Sequence, residues 1–346
     1  MSDLLSRHDV LLTDLDGTLY RGPYAVPGAV EAVRGATERG VRTVYVTNNA
    51  SRRPADVARQ LNDLGFPAVP DTVATSSQAA AAMLAAQLSP GSPVLVVGTE
   101  ALAAEITGVG LSVTPSAERA AAVVQGHSPD TGWRLLAEAT VALRAGAVWV
   151  ACNLDPTLPT ERGPLPGNGS MVAVLRIASG REPQVAGKPA PALLRDAIGR
   201  SAARAPLVIG DRLDTDIEGG RAAGVPTLLV LTGVSDAAEL LAAPPALRPD
   251  LIGADLAALT HDPADLTPGP RPGWSVDQTR DGWTLRGTGE ALDALLVLCG
   301  AHWANGGGPT HVRPDDPVAT RALRTLGLSA PSASVAADAV ASGEQA

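Results

Sequence analysis

Short runs of β-branched and other apolar residues recur along this chain, separated by Ala-, Leu- and Arg-rich stretches with helical spacing. Residues 10–12, 41–46, 94–97, 123–124, 147–151, 207–209 and 227–231 read as buried strands. Strands alternating with helices imply a parallel sheet, because a parallel neighbour is reached only through a crossover long enough to hold a helix. The pattern thus predicts an α/β fold with a doubly wound parallel-sheet core. Polar segments that could carry chemistry follow strands only before residue 90 and after residue 185. The core is therefore expected in 1–89 and 185–262, with a second α/β domain inserted over 90–184. A Pro- and Gly-rich linker is expected over 263–272, a small α+β module over 273–330 and a flexible tail over 331–346.

Composition narrows the partners. A net charge of -9 argues against a general nucleic-acid binder, so an anionic ligand must be drawn by a local positive site such as a bound metal. Hydrophobic residues make up 45% of the 346, enough to fill the cores of two or three domains. Two cysteines, Cys152 and Cys299, offer no disulfide framework; their apolar neighbours make them core thiols, and a reducing, cytoplasmic setting is expected. No basic start followed by an apolar stretch is present, and the Ala-rich run over 79–86 is too short to span a bilayer, so no membrane insertion is expected.

Four polar segments carry the candidate chemistry. Asp14-Leu15-Asp16-Gly17-Thr18 follows the first apolar run. In extended backbone residues i and i+2 point the same way, so Asp14 and Asp16 can converge on one ligand while Gly17 lets the chain turn tightly. Thr47-Asn48-Asn49 ends another strand, where a hydroxyl, two amides and free backbone N–H groups can bond phosphoryl oxygens or cap a helix. Gly187-Lys188-Pro189 holds the only lysine of the sequence, a compact ammonium in a chain that otherwise uses arginine. Gly210-Asp211-Arg212-Leu213-Asp214-Thr215-Asp216 puts an acidic loop after a strand, as a hard cation requires.

Together these segments match what phosphate-ester hydrolysis through a covalent intermediate demands. Asp14 is the candidate nucleophile and Asp16 the candidate general acid and base. Such an attack brings one anion up to another, so Mg²⁺ is the expected cofactor. Asp14, Asp211 and the main-chain carbonyl of Asp16 would hold it, and Asp216 would orient them. Thr47, Asn48, Asn49 and Lys188 are the candidate phosphoryl-binding residues.

In this order and combination the four segments resemble the haloacid dehalogenase superfamily of aspartate-nucleophile phosphatases. The second aspartate, Asp16, resembles that of its phosphatases and phosphomutases, not its members acting on carbon–halogen or phosphonate bonds. The spacing is similar to that of the subgroup containing NagD-like, para-nitrophenyl phosphate and pyridoxal phosphate phosphatases. This resemblance implies that residues 90–184 form a cap that folds over the site and supplies a substrate-selecting loop. Ala151-Cys152-Asn153-Leu154-Asp155-Pro156 is similar to that loop. Asn153 and Asp155 are read either as contacting the leaving group, or ordering the loop that does, or as an Asx turn at a strand end. His127 is left unassigned, and Gly167-Asn168-Gly169-Ser170 reads as a turn entering a helix at Ser170.

Near the C-terminal end, Arg286-Gly287-Thr288-Gly289-Glu290-Ala291 resembles the pyrophosphate loop of GCN5-type acetyltransferases, and residues 317–328 that fold's later helix and strand. The segment is too short for such a domain. It is read as a partial module used in packing or homo-oligomerisation, with Trp274, Trp283 and Trp303 in its core. The combination resembles the bacterial glycerol 3-phosphate phosphatases that recycle polar heads from phospholipid breakdown, which implies a small phosphorylated polyol as substrate. Pyridoxal phosphate, sugar phosphates and other small phosphorylated metabolites are rival substrates. Two readings of another class are a receiver-like phosphoacceptor module and a C-terminal module that binds a CoA ligand. Asp16-Gly17-Thr18, the inserted domain and the late Asp211 speak against the receiver.

Overall fold

The computed structural model describes residues 3–160 and 162–328, so the tail expected over 331–346 lies outside the described residues. The chain divides into two compact units. One runs up to Val234 and takes in Ala246–Leu266; the other comprises Ser235–Pro245 and the residues from Thr267 onward.

In the first unit, six parallel strands form a sheet in the order Leu251–Gly253, Thr227–Val230, Pro206–Gly210, Val10–Thr13, Arg42–Thr47, Val73–Thr75. Every residue of Val10–Thr13 is buried, the continuous apolar run that helices on both faces of a parallel sheet demand. From this strand the chain crosses to Arg42–Thr47 on one side and returns much later to Pro206–Gly210 on the other. The two crossings diverge at the carboxyl ends of these strands, the crevice where open α/β sheets bind ligands. Asp9 fixes the start of the central pair, its carboxylate accepting from the N–H groups of Arg204 and Ala205 at 2.9 Å each.

Local signals explain the flanking helices. Pro54–Asp63 starts with a proline in its first turn and buries Val57, Ala58 and Leu61 on one stripe, the Val and Leu each contributing about 1.5–3 kcal/mol by area. Ser76–Ala85 opens with a capping box: Thr75 Oγ1 accepts from Gln78 N at 3.2 Å, and Gln78 Oε1 accepts from Thr75 N at 3.0 Å. A Thr75→Ala change there costs about 0.5–2 kcal/mol.

A second sheet of five parallel strands spans Pro93–Val97, Ser112–Val113, Ala122–Gln125, Val148–Ala151 and Gln184–Val185. Helices Trp133–Arg144 and Asn168–Ser179 pack on it through Ala139, Leu143, Val172 and Leu175. The antiparallel hairpin of Thr157–Thr160 and Gly163–Pro166 stands outside this sheet. Residues near 185, expected to resume the first sheet, instead extend the second. Gln184–Val185 pairs with Val150 and Ala151, and the ladder continues through Ala186 N to Ala151 O and Gly187 N to Cys152 O. The first sheet resumes only at Pro206. A two-residue edge strand leaves no hydrophobic period to read, which is why the pattern missed it.

In the other unit, Trp274–Thr279 pairs antiparallel with Gly282–Gly287, which pairs parallel with Val312–Pro314. Helix Ala291–Ala304 buries Leu295, Leu296, Leu298 and Cys299 and packs against the short helix Ala237–Ala242. Residues 235–245, expected in the core, thus belong here, and part of the expected linker is the helix Pro263–Leu266 of the first unit. Trp274 and Trp283 are buried as expected, whereas Trp303 is half-buried and donates to Leu241 O at 3.2 Å. Among the described residues no helix is long and apolar enough to cross a membrane.

Candidate active site

Three carboxylates meet at the carboxyl ends of the central strands. Asp14 follows Val10–Thr13, Asp211 follows Pro206–Gly210, and Asp216 lies in the wide helical turn Leu213–Ile217; one oxygen from each falls within 4.8 Å of the others. Asp211 and Asp216 are buried, and the Asp14 side chain is 16% exposed. Lys188 Nζ donates to Asp14 Oδ1 at 2.5 Å and to Asp216 Oδ1 at 2.6 Å. Three carboxylates against one ammonium leave two negative charges uncompensated in a buried place, which is the charge of one divalent cation. The donor set, all hard oxygens, fits Mg²⁺.

The remaining bonds hold these groups in place. Asp211 accepts from Thr18 Oγ1 at 3.1 Å and from Val234 N at 2.7 Å; Asp216 Oδ2 accepts from Arg212 N at 3.1 Å. Gly17 has φ +87°, and a Cβ there would lie 2.4 Å from Asp211 Oδ2, so both the turn and the approach of Asp211 require glycine. Burial pushes the Asp14 carboxyl up, to about 8; the Lys188 charge opposes the rise, and those of Asp216 and Asp211 add to it. Burial, with Asp216 beside it, likewise pushes Asp211 up to about 6. Burial works against the Lys188 charge, but Asp14 and Asp216 outweigh it and hold the ammonium above its ordinary value.

Above this cluster opens a cavity of about 490 Å³, lined by loops that follow strands of both sheets and by the hairpin strand Thr157–Thr160. Asp16, Tyr20, Arg21, Thr47, Asn49 and Arg212 face it from one side, and His127, Asn153, Asp155, Thr157, Leu158 and Asn168 from the other. Asp16 is exposed, and its partial desolvation raises its carboxyl above the ordinary value. Arg212 is tied to Asp214 by two bonds of 3.0 and 2.8 Å.

The residues 11–112 match the model of the haloacid dehalogenase-like hydrolases, and residues 185–259 match a related hydrolase model of the same group. A D-glycerol 3-phosphate phosphatase of Mycobacterium tuberculosis is 50% identical over 324 residues, covering 91% of this chain and 91% of that protein. The chain belongs to the haloacid dehalogenase-like hydrolases. A crystal structure of a glycerol phosphate phosphatase from Mycobacterium tuberculosis in complex with magnesium superposes on this hydrolase with a TM-score of 0.91 at 49% identity, covering 95% of this chain and 100% of that one. A 5'-nucleotidase of Bacillus subtilis is 40% identical over 227 residues, covering 65% of this chain and 87% of that protein. Residues 271–328 match a GCN5-related N-acetyltransferase-like domain. The family assignment replaces the receiver alternative.

Within this hydrolase the four sequence segments converge, but not every side chain is placed or free to act as expected. The Asp16 carboxylate lies outside the three-carboxylate cluster. Both N–H donors of the Asn48 amide are committed, one to Lys188 O at 2.9 Å and the other to Asp155 Oδ2 at 3.3 Å, so Asn48 has no side-chain donor left for a phosphoryl oxygen. Asn49 is exposed, and its Oδ1 accepts from Ser51 N and Ser51 Oγ at 2.8 and 2.7 Å. Asn153 is buried and makes the Asx turn: its Oδ1 accepts from Asp155 N at 3.2 Å. The helix expected to start at Ser170 starts at Asn168, and Ser170 Oγ donates to Pro156 O at 2.7 Å. Thr18 and Arg212, which stand inside the acidic segments, carry no sequence signal that marks them out from ordinary turn neighbours. Near the C-terminal end, Gly287 N is taken by Asp316 Oδ2 at 2.7 Å, so the loop that resembles a pyrophosphate cradle already holds an anion of its own.

Proposed function

We propose that this hydrolase cleaves small phosphomonoesters with Mg²⁺, glycerol 3-phosphate foremost, to the free alcohol and phosphate. The observation that carries the reading is the trio Asp14, Asp211 and Asp216 around one ammonium, two negative charges short of balance, with Asp14 and Lys188 lining a cavity sized for a small metabolite. The extended similarity to a glycerol 3-phosphate phosphatase supports the choice of ester. Nucleotides, in line with the name of the Bacillus subtilis relative, and sugar phosphates are the rival substrates.

In this reading Asp14 and Asp211 hold Mg²⁺ together with the Asp16 carbonyl, and Asp216 orients Lys188. Bound Mg²⁺ supplies positive charge where nucleophile and phosphoryl oxygens approach. A carboxylate oxygen of Asp14 attacks phosphorus, and the bond to the ester oxygen breaks as Asp16 gives that oxygen its proton. Asp16 then takes a proton from water, whose oxygen attacks the same phosphorus and frees the Asp14 carboxylate and inorganic phosphate. Thr47 and the Lys188 ammonium stabilise the phosphoryl oxygens. Asp155 faces the leaving group from the loop after Val148–Ala151.

We assign the catalytic core to the six-stranded sheet and its helices, residues 1–89, 188–234 and 246–262, and the cap to 90–187, whose sheet ends on Gln184–Val185. The C-terminal unit is assigned to packing or homo-oligomerisation. A cytoplasmic setting is in keeping with Cys152 and Cys299 being buried core thiols. The test is phosphate release with and without Mg²⁺ across glycerol 3-phosphate, glycerol 2-phosphate, pyridoxal phosphate, sugar phosphates, a nucleoside monophosphate and para-nitrophenyl phosphate. The highest kcat/KM on glycerol 3-phosphate is expected, and release that ignores Mg²⁺ refutes the reading.

A further inference from the structure

Asn48 sits where three chain segments meet. Its side chain closes on the main chain of Lys188 from both sides: Oδ1 accepts from Lys188 N at 2.8 Å and Nδ2 donates to Lys188 O at 2.9 Å. A backbone gripped at its own N–H and C=O has little freedom, so the start of the Lys188 side chain is fixed by this one amide. The fit is close, since a Cβ on Gly187 would lie 2.6 Å from Asn48 Oδ1. The same Nδ2 also reaches Asp155 Oδ2 at 3.3 Å, and Asn48 O accepts from Asn153 Nδ2 at 2.7 Å and from Ser76 Oγ at 2.6 Å. Asn153 and Asp155 belong to the loop after Val148–Ala151, and Asp155 faces the cavity.

We propose that Asn48 is a positioning residue that couples the seating of the Asp155 loop to the seating of the Lys188 ammonium, through one amide bonded to both. The proposal rests on the phosphatase reading only for its kinetic consequence. A leaving group that draws on Asp155 changes what the amide donates to, and the amide's other bonds carry that change to Lys188, whose Nζ stands between Asp14 and Asp216. Asp155 thereby influences the rate at phosphorus as well as the affinity for the leaving group.

Because Lys188 is the only lysine in the sequence, ¹³C,¹⁵N-lysine labelling of the full chain yields a single lysine spin system. Asp155→Asn is expected to shift the Lys188 amide and Cε resonances, and the shift is expected to vanish in the Asn48→Ala background. Asn48→Asp keeps the acceptor for Lys188 N but sets a carboxylate against Asp155; it should displace the same resonances, and adding Asp155→Asn should bring them back toward the wild-type positions. Equal shifts with and without Asn48, or no shift from either Asp155→Asn or Asn48→Asp, would overturn the coupling. None of these readings requires turnover, so they stand apart from the failure of the phosphatase reading. With turnover, Asn48→Ala should lower kcat by about tenfold to a hundredfold, with less change in KM. A loss confined to KM would contradict the proposal.

Discussion

Lys188 Nζ stands 2.5 Å from Asp14 Oδ1. The ammonium is 3% exposed and serves Asp216 as well, so the pocket around it is shaped for a single compact nitrogen. A guanidinium keeps the charge but is larger, planar and forked. Lys188→Arg is therefore expected to lose about 5- to 150-fold in kcat, the rate equivalent of the about 1–3 kcal/mol that overpacking a closed site costs. Steady-state kinetics on glycerol 3-phosphate check this, and near wild-type rates would show that the charge alone matters.

In the first step Asp16 is needed only where the leaving oxygen needs a proton, whereas the second step needs it as a base on either ester. For Asp16→Asn the account predicts a loss of about 100- to 10,000-fold on glycerol 3-phosphate. On para-nitrophenyl phosphate, whose phenolate departs without a proton, formation of the aspartyl phosphate should be far less affected. A pre-steady-state burst of nitrophenolate in this variant is the readout; equal loss of the first step on both esters would remove Asp16 from the acid role.

Asp9 ties the strands that carry Asp14 and Asp211. Burial raises its carboxyl, but the N–H groups of Arg204 and Ala205 outweigh that and hold it below its ordinary value. A folded value below the unfolded one means that the contribution is fully present above the ordinary carboxyl range and is lost as pH falls through the folded value. Asp9→Ala should therefore lower Tm at neutral pH, and the gap to wild type should close in strong acid. A gap that persists there would assign the effect to packing.

Much of this site was legible because acids, a lone lysine and strand ends are written locally. The strands at 10–12 and 207–209 appeared within a residue or two of Val10–Thr13 and Pro206–Gly210, and the aspartates that follow them converge. The orientation of the Asn48 amide was not legible. Thr47-Asn48-Asn49 offers three polar side chains at one strand end, and their directions depend on Lys188, which lies 140 residues away in the chain. Residues 235–245 were misplaced for a similar reason. The helix Ala237–Ala242 is six residues long, and its partner, Ala291–Ala304, is set by tertiary packing.

The C-terminal unit should not bind acetyl-CoA. Asp316 caps the helix Pro317–Thr325 through Val318 N and Ala319 N at 2.7 Å each while also holding Gly287 N. A pyrophosphate would have to displace a carboxylate with three N–H partners. Calorimetric titration of the full chain with acetyl-CoA is expected to show no heat of binding; saturable heat would make this unit a ligand-binding module.

The central claim is that Asp14 is the nucleophile of a Mg²⁺-dependent phosphomonoesterase, and Asp14→Asn tests it at nearly constant shape. With glycerol 3-phosphate and Mg²⁺, kcat should fall by at least about a thousandfold, while Tm holds or rises because one of three crowded carboxylates is gone. Phosphate release within about tenfold of wild type, from a variant of unchanged Tm, would contradict the account.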